Sequence, residues 1–313
     1  MSGTATRIGI GLVGFGKIAK DQHVPALNAD PDFRLVAVAS RSQHGPEGVP
    51  VFRELGDMLS HAPGLDAVSF CTPPQGRYAL ARQALISGRH VMLEKPPCAT
   101  VREVEDLAAY ARKAGLALFA SWHSRAAAGV ETARQWLSGR TVRKIVVNWK
   151  EDVRHWHPGQ TWIWQPGGLG VFDPGINALS VLTAIHPRTV LVREAVLYFP
   201  SNCAAPIAAT IELADADDLT IHAEFDFRQT GEQTWDIVVE TDSGELRLGH
   251  GGGTLQIDGR AVALPASGEY PTLYKRFAEL VRTRTVDVDV APLQLVADAF
   301  LVGRRETVDP FYD

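Results

Sequence analysis

The chain has 313 residues, a net charge of −5 and 45% hydrophobic residues, a balance that suits two globular domains with cores of their own. Lys and Arg are scattered, no apolar run approaches a membrane span, and no basic-then-apolar leader opens the chain; nucleic-acid binding, membrane insertion and export are therefore not expected. Cys71, Cys98 and Cys203 are odd in number and unpatterned, as free thiols in a reducing cytoplasm would be.

In chain order, residues 7–13 read as a short apolar strand (Ile8, Ile10, Leu12, Val13) and 17–27 as the helix after it. Between them lies Gly14-Phe15-Gly16-Lys17-Ile18-Ala19. Gly14 suits a tight turn, Gly16 lets the backbone approach a pyrophosphate, and Ala19 takes the small position where helix meets strand. Gly14, Gly16, Lys17 and Ile18 are thus assigned to a dinucleotide, its phosphates facing the free N–H groups and positive dipole end of the helix. A second strand is expected at Phe33–Ala39. Its end should select the cofactor, because an acidic residue there bonds both ribose hydroxyls and repels a 2′-phosphate. Ser40 and Arg41 follow instead, a hydroxyl and a guanidinium suited to a phosphate. NADP is the preferred cofactor on this reading, with NAD accepted.

Strands at 66–71, 90–94 and 116–121 alternate with helices at 78–86 and 101–113, and Thr100 with Glu103 forms a T-x-x-E capping box. Such alternation implies an α/β Rossmann domain, a doubly wound parallel sheet, over residues 1–122. Glu94-Lys95-Pro96 places a lysine and a turn-forming proline directly after a strand, where such a fold gathers its ligand.

After Trp122 the character changes. A helix at Val130–Leu137 and a strand at 144–150 lead into a Trp-, Pro- and Gly-rich stretch at 151–175, then a helix at 176–185. Strands follow at 190–199, 207–213, 219–227, 235–241, 245–248, 254–257 and 261–264. Hairpin signals mark Ala216-Asp217-Asp218, Asp242-Ser243-Gly244 and Asp258-Gly259. Helices at 272–283 and 292–305 close the chain. Residues 123–313 therefore read as an α+β substrate-binding domain with a large open, mainly antiparallel sheet, whose free face offers a homodimer surface. The helix at 292–305 is expected to pack back near the domain junction.

Four motifs occur in a family order: Gly14 to Ala19, Cys71-Thr72-Pro73-Pro74, Gly88 to Pro96, and Gly167 to Asn177. In this the chain resembles the glucose-fructose oxidoreductase/inositol dehydrogenase (Gfo/Idh/MocA) family over nearly its whole length. Trp122-His123-Ser124 and the segments 149–154, 156–160 and 172–180 further resemble the bacterial aldose 1-dehydrogenases, which oxidise L-arabinose or D-galactose at the anomeric carbon. The resemblance implies NAD(P)-dependent oxidation of an aldopyranose (L-arabinose, D-galactose or D-fucose) at C1 to the aldonolactone. It puts Cys71, Thr72, Pro73 and Glu94 with the cofactor, Lys95 beside the nicotinamide and the reacting hydroxyl, and the acid/base position on Asp173. Many members carry a histidine four residues further, where this chain has Asn177. Asparagine does not titrate, so the base is Asp173, Lys95 or water. Many relatives also have a histidine near Arg77, a departure that reads as minor.

Oxidising a hemiacetal needs C1–H facing nicotinamide C4, an acceptor for the hydroxyl proton and a grip on the other hydroxyls. Lys95 supplies a cation for a developing alkoxide and Asp173 a proton acceptor. Asn177, one helical turn on, can face the same pocket. Residues 149–164 offer indoles for sugar C–H faces and polar groups for hydroxyls, Asp152 and Gln160 among them. Glu151 and His157 are placed on the sugar, with His123 and Trp235 as neighbours. His155 and His157 are spaced H-x-H but lack a clear third ligand, so no metal is expected. Two alternatives are a non-catalytic NAD(P)-sensing regulator of the same fold and another sugar or inositol dehydrogenase of the family. Lys95 together with Asp173 argues against the first, Asn177 against the inositol type. The candidate aldoses differ only at C5, where one substituent is worth about 1–3 kcal/mol.

Overall fold

A computed structural model describes residues 7–266 and 268–312 and divides the chain into two compact units. The first comprises Met1–His123 with Gly268–Val290. Its strands are β1 (Ile8–Val13), β2 (Phe33–Ala39), β3 (Val51–Phe52), β4 (Ala67–Phe70), β5 (His90–Leu93) and β6 (Leu118–Ala120). They form one parallel sheet in the order β6-β5-β4-β1-β2-β3, and Val286–Asp287 pairs in parallel outside β6. β1 is buried along its whole length, as a central parallel strand must be when both faces are covered. The capping box is formed: the Thr100 hydroxyl accepts from the Glu103 N–H, and the Glu103 carboxylate accepts from the Thr100 N–H.

Two local features depart from expectation here. β3 and the helix Leu55–His61 lie in a stretch too short and irregular to show a period. The helix after β1 is not a plain α-helix, because Ala19–His23 makes a π-turn ahead of Val24–Ala29. Pro25 has no N–H for the Asp21 carbonyl, and the ladder widens just before it. His23 ends up fully buried.

The second unit comprises Ser124–Ser267 with Ala291–Asp313. Its strands are β7 (Val142–Lys150), β8 (Val190–Pro200), β9 (Ala208–Asp215), β10 (Thr220–Asp226), β11 (Thr234–Thr241), β12 (Gly244–Gly249), β13 (Thr254–Ile257) and β14 (Arg260–Ala261). The sheet order is β14-β13-β12-β11-β7-β10-β9-β8, with Arg304–Val308 on the edge of β8. Most pairs are antiparallel, but β7 with β10 and Arg304–Val308 with β8 are parallel, so the sheet is mixed. The hairpins at Asp242-Ser243 and Asp258-Gly259 form where expected, the latter with both turn residues at positive φ. Along β10 buried residues alternate with half-exposed ones: Ile221, Ala223 and Phe225 face inward, and His222, Glu224 and Asp226 face outward. Helices Val130–Leu137, Phe172–Ile185 and Ala291–Val302 pack on one another and on the sheet.

Three expectations are corrected. The helix read at 176–185 begins at Phe172, so Asp173 lies in its first turn, and the N-cap is Val171. The helix read at 292–305 stops at Val302, because Arg304–Val308 is drawn into the sheet as an edge strand. Residues 268–290, counted with the second domain, belong to the first unit, where helix Glu269–Thr283 buries Tyr274 and Phe277 against Phe33.

Candidate active site

The glycine turn has the shape a dinucleotide needs. Gly14 stands at φ +89°, and a Cβ there would meet Thr72 Cγ2 at 2.9 Å. At Gly16 a Cβ would meet nothing within 4 Å, which leaves open space above the first turn of the helix. The Thr72 hydroxyl beside this turn is buried with no hydrogen-bond partner among the described residues. An orphaned hydroxyl, a bare glycine and a helix N-terminus are a fitting lining for a pyrophosphate. Lys17 pairs with Asp21 on the exposed side of the helix. After β2, Ser40 is buried and shares a hydrogen bond of 2.9 Å with the Ser42 hydroxyl, whereas Arg41 is exposed.

The turn carrying Lys95 is held from two sides. Glu94 is 4% exposed and its Oε2 accepts from the Lys95 N–H at 2.9 Å. Its Oε1 accepts from the Tyr270 hydroxyl at 2.8 Å and lies 3.0 Å from His23 Nε2. His23 Nδ1 in turn meets the Tyr274 hydroxyl at 2.6 Å. Burial alone would raise the Glu94 pKa, but the His23 hydrogen bond and charge pull it down to about 2. Burial would lower the His23 pKa, yet Cys71, Tyr274 and Glu94 around it raise it well above the ordinary imidazole value. The result is a buried imidazolium–carboxylate pair beneath Lys95. From the other side the Arg77 guanidinium donates to the carbonyls of Glu94, Pro96 and Thr72, and to that of Pro97 at 3.4 Å. Arg77 is 2% exposed, a buried guanidinium tied to main-chain carbonyls. It fastens the backbone on both sides of Lys95.

A second cluster lies wholly within the second unit. Glu151, just past the end of β7, is 4% exposed, and its Oε2 accepts from Trp235 Nε1 at 2.9 Å. Its Oε1 stands 3.3 Å from His157 Nε2. His157 Nδ1 lies 3.5 Å from Asp173 Oδ2 and has no hydrogen-bond partner among the described residues. Asp173 is 4% exposed in the first turn of its helix, where the dipole favours a carboxylate. Gly175 brings that helix down onto β10: a Cβ there would stand 3.2 Å from the Phe225 ring. Asn177 follows one turn later, half-buried. Trp149, Trp156 and Trp235 flank the cluster as an aromatic wall, with ring centroids 5.2–6.3 Å apart.

Glu151, His157, Asp173, Asn177 and Trp235 are thus gathered in one unit, and Lys95, Glu94 and His123 in the other. His123 Nδ1 is 2.7 Å from Glu269 Oε2, and the ring stacks on Tyr270. Asp152 caps the short helix Val153–Trp156 and bonds Arg154, which lowers its pKa. His23, Tyr270, Tyr274 and the weight of Arg77 escaped the reading of the sequence. The four-residue spacing of the two tyrosines on one helix face was the only local hint of them. Among the described residues no group of three or more His, Cys, Asp or Glu side chains is arranged to hold a metal ion, and no helix is long and apolar enough to cross a membrane.

Comparison with known proteins agrees with these features. Residues 8–121 match the Gfo/Idh/MocA oxidoreductase family model, described as an NAD-binding Rossmann fold. The chain is 50% identical over 306 residues to galactose 1-dehydrogenase of Pseudomonas fluorescens, covering 98% of this chain and 99% of that protein. It superposes on the crystal structure of D-galactose-1-dehydrogenase from Rhizobium etli with a TM-score of 0.94 at 54% identity, covering 100% and 99% of the two chains. A 3-ketoreductase from Actinomadura kijaniata, solved with NADP, shares the fold at a TM-score of 0.84 and 18% identity over 97% of this chain and 100% of that one.

Proposed function

The chain belongs to the Gfo/Idh/MocA oxidoreductase family, and from that premise we propose that it is an NAD(P)-dependent aldose 1-dehydrogenase of the galactose type. The observation that carries this reading is full-length identity of 50% to a galactose 1-dehydrogenase, with Lys95 and Asp173 both present. The bound cofactor supplies the hydride acceptor at nicotinamide C4. Lys95 stabilises negative charge on the reacting hydroxyl, and its backbone is held by Glu94 and Arg77. Asp173 takes the hydroxyl proton, because Asn177 at the neighbouring position has no titrating group. Glu151, His157 and Asn177 bond the remaining hydroxyls, Trp235 lends its face to the sugar, and His123 orients from beside Glu269.

Cofactor preference rests on the loop after β2. Arg41 is exposed and no carboxylate follows the strand, which supports NADP over NAD. The outward face of the second sheet, which carries His222 and Glu224, is proposed as the surface of a homodimer. Cys71, Cys98 and Cys203, none in a disulfide among the described residues, fit a cytoplasmic enzyme. The deciding experiment is initial rates on D-galactose, L-arabinose, D-fucose, D-glucose and myo-inositol with each cofactor. Turnover of the first three with lactone formation is expected. Cofactor binding with no turnover of any polyol would favour the sensing role instead.

A further inference from the structure

We infer that Phe311, anchored by Asn202, is a positioning residue for the loop that carries His157, so that a segment outside the sugar site sets how tightly the sugar is held. This rests on the dehydrogenase reading, in which His157 bonds a sugar hydroxyl, and it concerns groups of the second unit alone.

The loop 151–165 has little regular structure to fix its course. It contains one turn of helix, Val153–Trp156, and one 3₁₀ turn, Thr161–Trp164, with Pro158 and Gly159 between them. Its first residues are tied to the end of β10. The Glu151 N–H donates to the Asp226 carbonyl at 2.9 Å, and the Val153 N–H to the Phe227 carbonyl at 3.1 Å. Further on, the N–H groups of His157, Gln160, Thr161 and Ile163 donate to carbonyls of the loop itself. Such bonds shape the loop but do not aim it.

A circuit of rings aims it. Phe227, fully buried just past β10, packs on the His157 ring at 5.5 Å and on Trp164 at 5.8 Å between centroids. Trp164 packs on Phe311 at 5.5 Å, and the Arg154 guanidinium lies over the Phe311 ring at 5.9 Å. Arg154 stands three residues before His157, so the circuit closes on the segment where it began. Tilted and edge-on rings, and a cation over a ring, are favourable arrangements.

Phe311 is the member that neither the loop nor β10 supplies. It belongs to residues 309–312, which follow the edge strand Arg304–Val308 without regular structure. Asn202, in the turn between β8 and β9, grips it with both ends of its amide. Nδ2–H donates to the Phe311 carbonyl at 2.7 Å, and Oδ1 accepts from the Phe311 N–H at 2.9 Å. Phe311 is half-buried while Pro310 and Tyr312 on either side are exposed. The one residue held by the backbone is thus the one whose ring meets Trp164 and Arg154. Removing that ring leaves the loop in its sugar-binding position for only part of the time. Apparent sugar affinity then falls by that fraction, whereas turnover at saturation does not.

Phe311→Ala tests this in the intact chain, by kinetics with D-galactose and, without need of turnover, by hydrogen–deuterium exchange. Amides of residues 153–165 should exchange at least about fivefold faster, with β10 unaffected. KM for galactose should rise about three- to tenfold, the worth of one ring pair with its cation. The kcat and the cofactor KM should stay within about twofold, and the melting temperature within about 2 °C. Asn202→Ala should move both readouts the same way, and Phe311→Tyr, which keeps the ring, should restore them. A wild type that turns over no aldose sinks the dehydrogenase reading and leaves the brace to be judged on exchange. Unchanged exchange in both alanine variants overturns the brace whatever the activity. Faster exchange with galactose KM unaltered overturns its bearing on the sugar. A lower melting temperature with equal rises in both KM values would show that Phe311 only stabilises the fold.

Discussion

Glu94→Gln should loosen the first unit and remove the pH dependence of its stability. The Glu94 pKa falls from 4.5 to about 2 in the folded chain. At about 1.4 kcal/mol per unit, the ionised carboxylate contributes about 3 kcal/mol at neutral pH. That agrees with the roughly 3–5 kcal/mol lost when one member of a buried ion pair is removed. Because the folded value is depressed, this stability is present above about pH 4.5 and lost as pH falls toward 2. The His23 value is raised, so its contribution is whole below 6.5 and lost as pH climbs toward the folded value. The pair therefore stabilises most between about pH 4.5 and 6.5. Scanning calorimetry from pH 3 to 9 should show the wild-type transition of the first unit highest in that window. In Glu94→Gln that transition should drop by about 6–12 °C at pH 6, at roughly 2–4 °C per kcal/mol, and its pH curve should flatten on both sides. A variant melting within about 2 °C of wild type, or with a parallel pH curve, would refute the buried imidazolium–carboxylate pair.

Other substitutions separate the remaining roles. Lys95→Ala should lower kcat at least about 100-fold while cofactor affinity largely survives; retention of more than about a tenth of wild-type kcat would remove Lys95 from the chemistry. Asp173→Asn should cost more in kcat than Asn177→Ala and should alone alter the pH–rate profile, so equal losses with unchanged profiles would leave Asp173 as a positioning group. Arg41→Ala should raise KM for NADP at least about tenfold, a charge-assisted contact of roughly 1.5–3 kcal/mol, and leave KM for NAD nearly unchanged. Equal harm to both cofactors would mean that Arg41 stacks on adenine instead. Arg77→Ala should reduce kcat at least about tenfold with little change in cofactor KM, and kinetics like those of wild type would show that the turn at Lys95 needs no guanidinium.

Much of this protein is written in short-range signals. The strand-turn-helix at Gly14, the capping box at Thr100 and Glu103, the two-residue hairpins and the outline of both sheets rest on interactions within a few residues, and each is legible as local propensity or period. The order of the motifs likewise singled out Lys95 and Asp173 as candidates. Three things needed the folded chain. Helix Glu269–Thr283 returns to the first unit because Tyr274 and Phe277 find their partners in Phe33 and Phe119, and no boundary signal announces that. The setting of Lys95 depends on contacts between Glu94 and Tyr270, 176 residues apart, and between His23 and Tyr274, 251 apart. A glutamate, an arginine and a histidine are by composition surface residues, and only partners from distant segments make their burial affordable. The alignment of Glu151, His157 and Asp173 is of the same kind. Each residue type was visible in the sequence, but the distance and direction between an imidazole nitrogen and two carboxylates are set by where a strand end, a short helix and the first turn of a long helix come to rest against β10 and β11.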